Sequence, residues 1–395
     1  MGYPMLDDYN GATQDGFGRF QFNINKWGRR QSTALTYLRP AMKRKNLHVA
    51  IRTHVSKILF DNSNRATGVE FYVNGFQHKV EAKKEVIISG GAINSPQLLM
   101  LSGIGPKQDL EKFGIPVIVD NPAVGQNLVD HYWSFITYTI NSTTPAVNQR
   151  DSLLMRQIQY FLTAEGRLKN SGMEAVGFIH TSASPKTDSP DMQVFFWPVD
   201  PFEGFGNIFN LKPNVAEASE KIGKTKQKIA FMSTLQQPLS QGWVKLRSSD
   251  HEAYPIIDPQ YFANERDLLA IVEGLKLGLT MIDQPEFKRF SAQLAEEAIP
   301  GCEKFKLWSD DYLKCLTRHK TLTLYHPAGT CRMGPSINDN AVVDPQLRVF
   351  GVKNLRVIDT SVFPDHVTGN TNAPTMMVGE KGAQMIKDSN NRKFC

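Results

Sequence analysis

The stretch Val86-Ile87-Ile88, running into Ser89-Gly90-Gly91-Ala92 and then Ser95-Pro96, constrains this chain more than any other. Three consecutive β-branched residues suit a strand buried on both faces, as in a sheet covered by helices. The glycine pair ends that strand. A helix is expected from Ser95 through Leu98, Leu99 and Leu101, with Pro96 in its first turn, where an absent N–H does little harm. Strand, glycine pair and helix together let backbone approach a phosphate or a flat ring closely. A tight turn with no ligand gives the same local pattern.

Around this stretch the chain reads as mixed α/β. Residues 1 to 40 carry Gly11, Gly16, Gly18 and Gly28 among aromatic and amide side chains, and read as a packed irregular segment. Short strands are expected at Leu47–Ile51, Val55–Phe60 and Thr67–Val73, with a turn over Asp61–Arg65. From about residue 130 to 320 strands are expected at Phe178–Thr181, Met192–Trp197, Ile229–Leu235 and Trp243–Leu246. Their Pro, Gly and Ser flanks favour an antiparallel sheet. Helical periodicity marks Ser152–Leu162, Glu265–Met281, Asp310–Lys320 and the chain from Thr375, while Gly204–Lys226 reads as a surface excursion. A last short strand ends in an acid at Leu355–Asp359.

Charge and cysteine content remove several function classes. The net charge of +6 is dispersed, with one short cluster at Arg39, Lys43, Arg44 and Lys45, which describes a solvated surface rather than a nucleic-acid stripe. No apolar run approaches the roughly 18 residues of a membrane span. Met1–Asn10 has no apolar core of a signal peptide, and Leu6 stands where a myristoylation signal wants Ser or Thr. Cys302, Cys315, Cys331 and Cys395 form no CxxC and no zinc spacing, so no metal is expected; Cys302 and Cys315 could pair. Asn141-Ser142-Thr143 is a glycosylation triplet. No Gly-x-Ser-x-Gly elbow is present, which removes a serine hydrolase of that type.

The candidate for chemistry is the loop Thr323–Gly334. Pro327 steers His326 away from helical backbone, and Gly329 permits a φ that other residues resist. A histidine on such a loop can exchange protons near neutral pH.

Several blocks give this reading a family. Gly91-Ala92-Ile93-Asn94-Ser95-Pro96-Gln97-Leu98-Leu99-Met100-Leu101-Ser102-Gly103-Ile104-Gly105 resembles the second signature of the glucose–methanol–choline (GMC) flavin oxidoreductases. Val124–His131, Gln241–Asp250, Pro255–Pro259, His326–Thr330, Val357–Pro364 and Gly369–Thr375 are similar to other blocks of that family. The resemblance runs from about Gly2 to Ile386, and its wording is nearest the insect glucose-dehydrogenase-like branch. The family's opening βαβ unit with Gly-x-Gly-x-x-Gly is not in the sequence. Gly16-Phe17-Gly18, Gly103-Ile104-Gly105 and Gly204-Phe205-Gly206 each lack the third glycine. The chain is therefore expected to begin after the family's first signature.

The resemblance implies an α/β plus α+β fold. An incomplete FAD-binding domain would span residues 1–130, a substrate domain on an antiparallel sheet flanked by helices 131–322, and the return to the FAD-binding domain 323–395. It implies FAD as cofactor, hydride transfer from the CH–OH group of an alcohol or sugar, and a quinone-like electron acceptor. No nucleic-acid partner and no membrane span are expected, and the whole protein would be extracellular. His326 would be the base and Asn372 its polar partner, with Asn370 as the alternative. Val55, Gly90, Gly91, Ala92 and Asp359 would contact the cofactor, while Asp130 and His131 would be structural. The alternative function is a non-catalytic remnant that binds no flavin, and a flavin absorbance spectrum separates the two.

Overall fold

A computed structural model describes residues 1–140, 153–169, 173, 175–184, 189–197, 209–210, 212–221, 227–295 and 298–391. The Asn141 triplet, Gly204-Phe205-Gly206 and Cys395 lie outside the described residues. The chain forms two compact units, Met1–Arg44 with Tyr132–Gln237 and Asn264–Leu324, and Lys45–His131 with Pro238–Ala263 and Tyr325–Cys395.

The first unit is built on an antiparallel sheet. Its order is Gly16–Arg19, Ala175–Ile179, Met192–Trp197, Gln227–Leu235 and Tyr132–Ile140, with Gln293–Leu294 and Leu322–Thr323 on the far edge of the last. Tyr132–Ile140 is rich in aromatic and β-branched residues and contains no Gly or Pro, the composition a pleated surface favours. All nine residues are buried, and they pair in register with Gln227–Leu235. Helix Glu265–Met281 covers one face. Asn264 caps it by accepting from the Arg266 N–H, and Glu265 and Asp267 occupy its positive first turn. Gly274 and Gly278, four apart, share one helix face, where a Cβ would collide with Ser233 and Phe231 of the sheet. Trp133, Phe135, Phe195 and Met232 form a cluster that also takes in Val215 of helix Pro213–Lys221. Cys302 and Cys315 are joined in a disulfide with Cα atoms 5.8 Å apart.

The second unit holds the opening stretch of the sequence. Val86–Ile88 pairs in parallel with Leu355–Val357, and helix Gly91–Leu101 follows directly. The strand is not buried on both faces as expected: Val86 and Ile88 are buried but Ile87 is exposed. Thr53–Phe60, Ala66–Val73 and Phe76–Glu81 form a three-stranded antiparallel sheet beside it. A bulge between Val55 and Lys57 shifts the pairing of the first strand. The core gathers Ile58, Leu99, Met100, Ile104, Val343 and Val357, all nearly or wholly buried. Helix Asn372–Asn391 is the last element among the described residues. Cys331 sits in this core, where burial, with the Asp359 carboxylate, pushes its thiol well above the usual range and leaves it unreactive.

The structure departs from the sequence reading in several places. Tyr132–Ile140 and Phe76–Glu81 are strands where none was expected, and helix Pro213–Lys221, with Val215 buried, lies within the expected surface excursion Gly204–Lys226. Residues 1–44 join the antiparallel unit instead of the second one, because Gly16–Arg19 pairs with Ala175–Ile179. Residues 238–263 leave the antiparallel unit, because Val244 donates to the Gly125 carbonyl and Gly242 exchanges two backbone hydrogen bonds with Leu128. Leu47–Ile51 is not a strand: its backbone finds no ladder partner among the described residues. The remaining boundaries lie within a few residues of expectation, and Glu265–Met281 matches at both ends. Among the described residues no helix is long and apolar enough to cross a membrane.

Candidate active site

All site geometry below lies within the second unit. The loop carrying His326 is shaped by two left-handed residues, Tyr325 at φ 59° and Gly329 at φ 86°. A tyrosine resists that region, so the surrounding contacts must hold it there. At Gly329 the requirement is steric as well, since a Cβ would lie 2.5 Å from the Asn127 carbonyl oxygen. Gly329→Ala is therefore expected to cost about 1–3 kcal/mol of stability, measurable by denaturant unfolding. An unchanged midpoint would show that the loop relaxes freely.

Both backbone polar atoms of His326 are held. Its N–H donates to Asp130 Oδ1 at 3.0 Å, and its carbonyl accepts from His366 Nε2 at 2.8 Å. Tyr261 donates its hydroxyl to the other Asp130 oxygen, so that carboxylate is braced from two sides. The Ala328–Val129 bridge fixes the loop beyond His326 through paired bonds of 2.9 and 3.1 Å.

Three imidazoles converge here. His131 Nδ1 lies 2.9 Å from His326 Nδ1, and His131 Nε2 lies 3.0 Å from the Val367 carbonyl oxygen. The His366 ring stacks on His131 with centroids 3.7 Å apart. Burial, and secondarily the His366 ring, push the His326 imidazole down to about 4. Burial lowers His366 as well. His326 is thus neutral at physiological pH, the state required of a proton acceptor.

Asn372 begins the last helix with its side chain exposed, and no described hydrogen bond joins it to His326. Asn370 is exposed two residues earlier.

A cavity of about 490 Å³ opens beside the parallel strand. Val55, Val69, Val80, Leu98 and Leu101 give it an apolar wall, and Ser89, Gly90, Asn94 and Gln97 a polar one. His54 and His251 stand at its side, His251 stacked on Tyr72 at 4.5 Å. Gly91, at φ 78°, has open space where a Cβ would point. The other two candidates face inward. Ala92 is buried and accepts from the Thr330 hydroxyl at 2.6 Å. Asp359 accepts from Gly91 N–H and the Ser95 hydroxyl with one oxygen and from Ser361 N–H with the other. It braces the helix start that the cavity meets.

Sequence profiles described as GMC oxidoreductase match residues 1–133 and 238–379. The chain belongs to the GMC oxidoreductase family. Among curated GMC relatives, human mitochondrial choline dehydrogenase is 39% identical over 391 residues, covering 98% of this chain and 61% of that protein. The glucose dehydrogenase [FAD, quinone] of Drosophila pseudoobscura is 35% identical, covering 98% and 60%. This GMC chain thus spans about three fifths of the length of both relatives. The formate oxidase of Aspergillus oryzae matches in structure with a TM-score of 0.84 at 28% identity, covering 99% of this chain and 69% of that one.

His326 is legible in the sequence from its loop, whereas the side chains that meet it are not. His131 and His366 stand 195 and 40 residues away from it along the chain. No local pattern connects either to the loop, although His131 closes the block Val124–His131 that the family resemblance had marked.

Proposed function

We propose that the protein is an FAD-dependent oxidoreductase that oxidises the CH–OH group of an alcohol or sugar and passes the electrons to a quinone or similar acceptor. The observation that carries this reading is the neutral His326 imidazole on a loop tied at both backbone atoms. Choline and glucose, named for two relatives, both carry a CH–OH group. FAD, when bound, supplies the hydride acceptor.

The cleft fits that cofactor. Val55 and its apolar neighbours offer a wall for a flat ring, and Gly90 and Gly91 offer backbone without side chains at the start of an eleven-residue helix, their N–H groups donated to Ser95 and Asp359. Asp359 acts behind them, holding the Gly91 N–H and the Ser95 hydroxyl. The unit containing these residues is assigned to the cofactor and the antiparallel unit to substrate binding.

The proton half of the reaction belongs to the chain's own side chains. As the carbinol carbon loses hydride, its hydroxyl proton becomes acidic, and a neutral imidazole within reach accepts it. Asn372, with Asn370 as the alternative, donates to the oxygen as negative charge develops. The Cys302–Cys315 disulfide supports an extracellular setting.

Absorbance of the purified protein, followed by dye or quinone reduction on adding primary alcohols and sugars, tests the reading. A flavin spectrum with substrate-dependent reduction is expected. Colourless protein would return the non-catalytic alternative.

A further inference from the structure

His131 is wholly buried and reaches two partners with its two ring nitrogens. The partner of Nε2 is a carbonyl oxygen, which can only accept, so His131 Nε2 must carry a proton. Complete burial disfavours a charged imidazole, so His131 is taken as neutral; it then has a single N–H, which leaves His131 Nδ1 as an acceptor. That bare nitrogen lies 2.9 Å from His326 Nδ1, a distance that requires a proton between them. The proton must then belong to His326. Since His326 is held neutral, its Nε2 has no proton and presents its lone pair.

We propose that His131 is a positioning residue that fixes His326 in the Nδ1–H tautomer, so that Nε2 is the atom that receives the alcohol proton. This rests on the reading of His326 as the base. The opposite tautomer would set two lone pairs against each other across the 2.9 Å contact, or turn a lone pair of His131 towards the Val367 carbonyl. His366 reinforces the arrangement by stacking on the His131 ring while donating to the His326 carbonyl. Proton transfer breaks the alcohol O–H bond and forms an N–H bond at His326 Nε2. The resulting imidazolium still donates from Nδ1 to His131, now through a stronger, charge-assisted bond. A base whose resting affinity for protons is weakened by burial is thus supported at the moment it becomes charged.

Imidazole ¹⁵N NMR of the labelled protein tests the assignment without turnover. Above pH 6 the two-bond correlations should show His326 protonated at Nδ1 and bare at Nε2, and His131 protonated at Nε2. In His131→Leu, which removes the acceptor, His326 should exchange between tautomers. In His131→Asn, whose side-chain oxygen can accept, the Nδ1–H form should return. Alcohol oxidation should follow the same order, falling by on the order of tenfold or more in His131→Leu and recovering in His131→Asn. A bare His326 Nδ1, a doubly protonated His131, or a single unchanged His326 tautomer in folded His131→Leu would overturn the proposal. If His131→Leu fails to fold, the wild-type spectrum alone decides. Full activity in His326→Gln would remove the base assignment but leave the tautomer result intact, so the two failures are distinguishable.

Discussion

Replacing His326 by glutamine is expected to slow alcohol oxidation by about 10²- to 10⁴-fold, the range that a positioned general base contributes. Glutamine keeps the polarity and approximate reach of the side chain but has no nitrogen able to take a proton at neutral pH. The backbone bonds to Asp130 and His366 do not depend on the side chain, so the loop should keep its path. Flavin content should therefore match wild type. kcat and kcat/KM should fall together, because the lost interaction forms only as the proton moves. In the wild type, kcat/KM should stay level down to about pH 5 and decline below it, as a proton occupies an imidazole whose pKa lies near 4. Steady-state kinetics over pH 4 to 9, with bound flavin quantified in both proteins, checks each of these points. A variant with full flavin and wild-type kcat would remove His326 from the chemistry.

The same histidine should make the protein acid-sensitive. Unfolded, its imidazole titrates near 6.5; folded, burial and His366 hold it near 4. Between those values the unfolded chain binds a proton that the folded chain does not, so stability falls as pH falls through the window. Above pH 6.5 the group contributes no pH dependence. By pH 4 the accumulated loss from His326 alone is about 3 kcal/mol. His366, also lowered by burial, acts in the same direction. Denaturant unfolding at pH 4.5 and pH 7 should show a smaller acid loss in His326→Gln than in wild type. The difference between the two proteins isolates this group from the carboxylates that titrate in the same range. Parallel pH profiles would mean that His326 is solvated and titrates normally.

How far the sequence disclosed this molecule depends on the range of the interaction concerned. Val86–Ile88 and the helix after it were legible because β-branched run, glycine pair and proline act locally, and Glu265–Met281 because its periodicity does too. Gly329 was legible for the same reason, and its positive φ agrees. Tyr132–Ile140 escaped notice because a strand buried on both faces has no alternation to reveal it. Leu47–Ile51 misled in the opposite sense, having strand composition but no ladder partner. At the site, His326 could be found from its loop and from the family blocks. The His131–His326 bond could not, since it joins residues 195 apart and depends on which ring nitrogen meets which acceptor. Asp359 was marked by the family blocks; that its carboxylate joins the Gly91 N–H, the Ser95 hydroxyl and the Ser361 N–H is a set of contacts up to 268 residues apart that no local pattern discloses.

The central claim is that a neutral His326 takes the proton while the alcohol carbon gives up hydride. Rapid anaerobic mixing of the FAD-loaded protein with a primary alcohol tests it most directly, followed by loss of the oxidised-flavin absorbance in wild type and His326→Gln. The account predicts prompt bleaching in wild type, slowed further when the carbinol hydrogens are deuterium, and bleaching at least about 10²-fold slower in the variant. Equal rates in the two proteins, or no bleaching of wild type by any alcohol or sugar, would contradict it.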